Sequence, residues 1–186
     1  AFVPRSALSA AAWIAMSCQG LLIHPDAEIG NIQLLIEQYK GYERVTGKVV
    51  TSLAEALWTD VRHNGYPRLF VEAMVDPEMS VVEVNNRTLG TVSWMRSEDF
   101  ASLSEEQKWG LEPKTITSKR MALTTNGKDM MRFGFSVALI RDHAGVARFL
   151  GTQDAEVEIR KIERRGIAGL EFDWSWLLVV AGFLFL

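Results

Sequence analysis

The sequence predicts an α+β body, two N-terminal helices followed by an antiparallel sheet, with one C-terminal transmembrane helix. Three observations predict this. Apolar residues recur at helical spacing between Asn31 and Val61, and alternate with polar ones through much of the stretch from Leu69 to Ile159. They then run together without a charge from Trp174 to Leu186. The divisions that follow are a leader-like or peripheral N-terminal arm at 1–25, a soluble α+β domain at 26–166 and a C-terminal membrane anchor at 167–186.

The first helix is expected over Asn31 to Val45. Ile32, Leu35, Ile36 and Tyr39 fall on one face, Asn31 suits an N-cap and Gly47 a stop. A second is expected from Ser52. Ser52 and Glu55 have capping-box spacing, Leu53, Leu57 and Val61 form a stripe, and Asn64-Gly65 suits a C-cap ahead of Pro67.

Period-two patterning begins at Leu69 and predicts a strand to Val75. Val81 to Val84 and Thr88 to Met95 read as a hairpin around Asn85-Asn86-Arg87. A polar helix is expected from Ser97 to Trp109, with Phe100 and Leu103 inward, then a strand from Thr115 to Leu123. Asn126-Gly127 suits a type I′ hairpin turn. Beyond it Met131, Phe133, Phe135, Val137 and Leu139 alternate with their neighbours and predict a strand. A turn at Asp142–Gly145 leads to strands at Val146–Leu150 and around Val157 and Ile159.

The anchor rests on composition and length. Trp174 to Leu186 holds thirteen uncharged residues, a reach of about 20 Å as a helix against a hydrocarbon core of about 30 Å. Trp174 and Trp176 suit the headgroup boundary. Arg164 and Arg165, with Arg160 and Lys161, precede the anchor and place the N-terminal body on the cytoplasm-like side. A span this short suits packing among neighbouring subunits better than standing alone in lipid.

Several chemistries find no footing. The net charge of −3, with 20 basic and 23 acidic residues mixed along the chain, excludes a basic nucleic-acid strip. Cys18 is the lone cysteine, and His24, His63 and His143 are far apart, so no metal set is expected. Phosphate-loop, dinucleotide and nucleophile-elbow motifs do not occur. Asp60, Arg62 and His63 cluster near a helix end, and Arg141-Asp142-His143 at a turn. Glu105-Glu106 lies on a polar helix, and Asn86-Arg87-Thr88 has the spacing of a glycosylation acceptor. Each reads as local structure or a solvated surface, and no catalytic residue is expected.

Residues 1–24 hold no acidic residue, are rich in Ala and Ser, and carry one base, Arg5. Ala1-Phe2-Val3-Pro4, followed by Arg5 and Ser6, resembles the leader junction of plastid-targeted proteins in red-lineage secondary algae such as diatoms, cryptophytes, haptophytes and dinoflagellates. The likeness covers some twenty residues. It implies a plastid address, and with the anchor it implies a thylakoid membrane, the body facing the stroma. The expectation is an accessory structural subunit of a photosynthetic complex. A photosystem I–antenna supercomplex is preferred, because its stromal ridge offers a docking surface. Partners would be the membrane and other subunits of the complex. Chlorophyll or carotenoid contacts would be apolar packing by Trp174, Trp176, Phe183 and Phe185, without a side-chain ligand. The alternatives are an assembly factor for such a complex and a membrane-tethered ligand-binding or enzymatic domain.

Overall fold

Short apolar strands drawn from the first thirty residues frame the fold. The computed structural model describes residues 1–152 apart from 34, 39, 40, 46, 118, 119 and 136. The chain opens with β1 (Phe2–Val3), β2 (Ser6–Leu8), α1 (Ala10–Ser17), β3 (Leu21–Ile23) and β4 (Glu28–Gly30). β1 runs parallel to β3, with Val3 beside Ile23, and β2 runs parallel to β4, with Ala7 beside Ile29. Parallel pairs of this kind need cover on both faces, and Val3, Ala7, Leu21, Ile23 and Ile29 are all buried. Ala12, Ala15 and Met16 bury the inner side of α1. Residues 1–25, expected as a leader-like or peripheral arm, supply three strands and a helix to the compact unit Ala1–Gln153.

The helix expected over Asn31 to Val45 is instead a hairpin. β5 (Leu35–Gln38) pairs antiparallel with β6 (Gly41–Arg44). Asn31 stands at a φ of 50° and donates its N–H to the Leu123 carbonyl at 2.9 Å, while Ile32 donates to Met74 at 2.7 Å. Those long-range backbone bonds hold the entry to the segment out of helical geometry and override a weak local preference.

The second helix is real but starts earlier. α2 (Lys48–Val61) opens after Gly47, and Val50, Ala54, Leu57 and Val61 are its buried stripe. Glu55 lies five residues too deep to complete a capping box and pairs with Arg68. Past the turn at Arg62–Asn64, Gly65 takes the left-handed conformation at a φ of 70°, as its sequence signal implied. Pro67 then heads α3 (Arg68–Ala73), where a strand was expected. Phe70, Val71, Ala73 and Met74 are all buried. With so many sides covered, a short apolar run shows no period that separates helix from strand.

β7 (Val81–Asn86) and β8 (Thr91–Arg96) form the expected hairpin, its turn two residues later than predicted. The polar helix that follows is broken into α4 (Ser97–Ser102) and α5 (Glu105–Lys108). Ser104 makes the break: its Oγ accepts from the Gln107 N–H, and Gln107 Oε1 accepts from the Ser104 N–H. β9 (Leu111–Thr117) completes an antiparallel meander in the order β8-β7-β9.

The last stretch departs furthest from its sequence signals. β10 (Thr124–Asn126) pairs antiparallel with β4, and Asn126 caps α6 (Gly127–Arg132), accepting from the Asp129 N–H at 2.9 Å. Asn serves a helix N-cap as well as it serves a turn. Gly127 is required by space: a Cβ there would lie 2.6 Å from the His24 carbonyl oxygen. The strand expected from Met131 contracts to β11 (Val137–Leu139), which adds parallel to β3. Asp142 then caps α7 (His143–Phe149) in place of a turn and strand.

The α+β class is thus corrected to a mixed α/β arrangement, helices and strands interleaved and both parallel and antiparallel pairs present. Among the described residues no helix is long and apolar enough to cross a membrane. The strand expected around Val157 and Ile159 and the anchor at 167–186, with Trp174, Trp176, Arg164 and Arg165, lie outside the described residues.

An aromatic cluster joins the meander to the body. Phe70 stacks on Phe133 with centroids 4.3 Å apart, and Trp94 meets both rings edge-on. Two largely buried carboxylates seal the same junction. Glu72 accepts from Arg68 at 2.6 Å and Arg96 at 2.7 Å. Glu83 accepts from Trp94 Nε1 and pairs with Arg132.

Candidate functional site

Most of the polar residues singled out in the sequence serve local structure. Asp60 accepts from Trp13 Nε1 at 2.8 Å and so ties α2 to α1. His63 is exposed on the turn beyond α2. His143 lies edge-on to Phe2, and Asp142 spends its Oδ1 on the Gly145 N–H. Glu105 pairs with Lys108 at 3.2 Å. Asn86 Oδ1 accepts from the N–H groups of Thr88 and Leu89, which makes it the organiser of the β7–β8 turn. The Cys18 thiol donates to the Ile14 carbonyl. Among the described residues no three His, Cys, Asp or Glu side chains gather as a metal site.

A recess of about 440 Å³ is lined by Asp76, Glu78, Met79, Ser80, Arg96, Ser97 and Glu98. Its hydroxyls are structural: Ser97 Oγ donates to Ser80 Oγ at 2.8 Å, and Ser80 Oγ donates to the Thr117 carbonyl. Burial lowers the basicity of the Arg96 guanidinium, but the hydrogen bonds and negative charges of Glu72 and Glu98 together more than offset this and raise its pKa. That arginine is committed to holding the meander on the body. A second, more open recess of about 550 Å³ includes Arg141, Asp142 and Arg148. Neither recess pairs a nucleophile with a base.

Among the described residues three buried hydroxyls, on Ser17, Tyr66 and Thr125, make no hydrogen bond. The Tyr66 hydroxyl, on a residue only 2% exposed, makes no hydrogen bond, and burial pushes its pKa up to about 12, with Cys18 adding to the rise. It packs against Phe135 beside the aromatic cluster and opens into no recess described above.

The feature that sequence reasoning missed is apolar and exposed. Trp109 is 85% exposed and Leu89 71%. Their turns adjoin, because the Arg87 N–H donates to the Gly110 carbonyl at 2.9 Å and Arg87 pairs with Glu112. Gly110, at a φ of 72°, admits Thr88 against its backbone. The meander therefore ends in a tip fixed by backbone bonds and carrying an indole and an isobutyl group in water. The signal was available: Leu89 sits between Thr88 and Gly90, and Trp109 just before Gly110, both positions where polar residues are usual.

Comparison with models of known protein families, with curated proteins and with solved structures returned no match. The functional reading therefore rests on this chain's own residues.

Proposed function

We propose that this protein is an accessory structural subunit that docks on a larger assembly through the tip of its meander. The observation that carries the reading is the pair Trp109 and Leu89, exposed on adjoining turns whose backbone is held in place. Large apolar groups held rigidly in water mark contact surfaces, and tryptophan is the residue type most enriched among those that dominate binding energy. Asn126 and Asp142 serve as helix caps, and Glu72, Glu83 and Glu105 are held in ion pairs.

The assembly is proposed to be a photosynthetic membrane complex of a plastid, with photosystem I and its antenna preferred. That step rests on the resemblance of Ala1-Phe2-Val3-Pro4 to plastid leader junctions and on the uncharged run from Trp174 to Leu186. The run offers an apolar surface to neighbouring subunits, pigments or lipid. Purification of native photosynthetic complexes tests the assignment. A band of this protein in fixed ratio to core subunits supports it, and recovery only in fractions free of those subunits rejects it.

A further inference from the structure

The two edges of the meander are built differently. The Ser97 N–H donates to the Ser80 carbonyl, and the Arg87 N–H donates to the Gly110 carbonyl. Because antiparallel hydrogen bonding alternates from pair to pair, these two bonds set the phase on both sides of β7. Thr91, Ser93 and Met95 then direct their backbone groups at β7, opposite Asn86, Val84 and Val82, while Val92 and Trp94 direct theirs outward. On the other side Lys114 and Glu112 face Glu83 and Asn85, so Pro113 faces outward.

An outward proline removes the donor that a further strand would need, and an exposed lysine beside it discourages approach. Both stand on β9, where Pro113 and Lys114 are exposed, and the ladder is also irregular between Val81 and Val82. β8 carries none of these devices. From Thr91 to Met95 it has no charge and no proline, and Thr91, Val92 and Ser93 are exposed. Among the described residues β8 has no strand on its outer side.

We infer that β8 pairs antiparallel with β8 of a second copy of this chain, across a two-fold axis at Ser93. The occupant follows from self-complementarity. Centred on Ser93, the pairing sets Val92 opposite the partner's Trp94 and Trp94 opposite the partner's Val92, so the outward backbone groups of both residues bond to each other. Val92 is 49% exposed in the single copy and gains an indole neighbour. On the other face Thr91 meets Met95 and Ser93 meets itself. Arg96, the strand's one charge, falls opposite Gly90, so no like charges oppose. Centring on Trp94 instead sets Arg96 against Val92 and leaves that valine without an apolar partner. The contact is small beside the ~1,600 Å² of a standard interface, so dimerisation depends on concentration.

The register makes a geometric demand. Ser93 opposite its copy is a pair without direct hydrogen bonds, with Cα atoms about 4.5 Å apart, inside the span a disulfide bridges. The test uses the full chain with Cys18→Ser as background. Mild oxidation is expected to cross-link Ser93→Cys into dimers at least tenfold faster than Lys114→Cys on the opposite edge. Adding Val92→Pro gives β8 the outward proline that β9 already has. It is expected to reduce the Ser93→Cys cross-link at least tenfold without lowering Tm. Equal rates at the two edges overturn the inference, even if the proline variant fails to fold. So does a cross-link that survives Val92→Pro, and so does a chain that stays uncross-linked because its own C-terminal residues cover β8.

Discussion

The first thirty residues and the β7–β8–β9 meander put apolar side chains to opposite uses. In the first, strands of two or three residues carry Val3, Ala7, Leu21, Ile23 and Ile29 completely inside. In the second, strands of six and seven residues bury Val81, Val82 and Val84 at one end and hold Leu89 and Trp109 out in water at the other. Short strands contribute few ladder bonds and persist only because later elements close over them: β10 onto β4, β11 onto β3. The meander holds itself together by its own ladder and can extend a tip beyond the core. The first region carries core packing, and the second carries the proposed docking surface.

The largest expected effect breaks the first region. Deleting residues 1–24 removes β1, β2, α1 and β3 and leaves β4 and β11 without their parallel partners. A cooperative thermal transition, followed by circular dichroism, is expected to disappear. Next comes the junction between the regions. Phe70→Ala empties the stack against Phe133 and Trp94 and is expected to cost about 3–5 kcal/mol in a denaturant titration.

A smaller effect runs in the opposite direction. Tyr66→Phe removes a buried hydroxyl without a partner and is expected to stabilise by about 1 kcal/mol. The same phenol titrates at about 12 in the fold against 10.0 when unfolded, raised mainly by burial. The folded state therefore keeps its proton longer. Its contribution is complete below pH 10, declines as pH rises, and levels off above 12, a loss of roughly 2–3 kcal/mol. Unfolding midpoints between pH 9 and 12 are expected to fall less steeply in Tyr66→Phe. The smallest effect on stability belongs to the tip, where Trp109→Ala is expected to change folding free energy by less than about 0.5 kcal/mol.

The first two strands of the meander were legible in the sequence, whereas the third, expected from Thr115 to Leu123, is β9 at Leu111–Thr117. The β7–β8 hairpin and the left-handed Gly65, which closes the turn after α2, follow from turn chemistry that is local. The remainder depended on distance. The stretch after Asn31 is held out of a helix by Leu123 and Met74. Asn126 and Asp142 were read as turn residues because a side chain that caps a helix also makes a turn. The stretch from Met131 to Leu139 alternates well, yet α6 ends at Arg132 and Phe133 and Phe135 pack into the core from irregular backbone. Asp60, His63, Arg141 and Glu105 were read as structural or solvated; in the fold Asp60 accepts from Trp13 and Glu105 pairs with Lys108. The tip escaped notice because Leu89 was assigned to a strand and Trp109 to a helix end, which hides their exposure and their shared location.

The most direct test of the docking account compares two tagged chains, wild type and Trp109→Ala, expressed in an alga with a red-lineage plastid. Solubilised membranes are run on native gels and the bands quantified against a core photosystem subunit. The account predicts comigration of the wild type in fixed ratio to that subunit, and at least a tenfold loss for Trp109→Ala at equal Tm. Equal incorporation of the two chains, or a wild type that migrates alone, would contradict it.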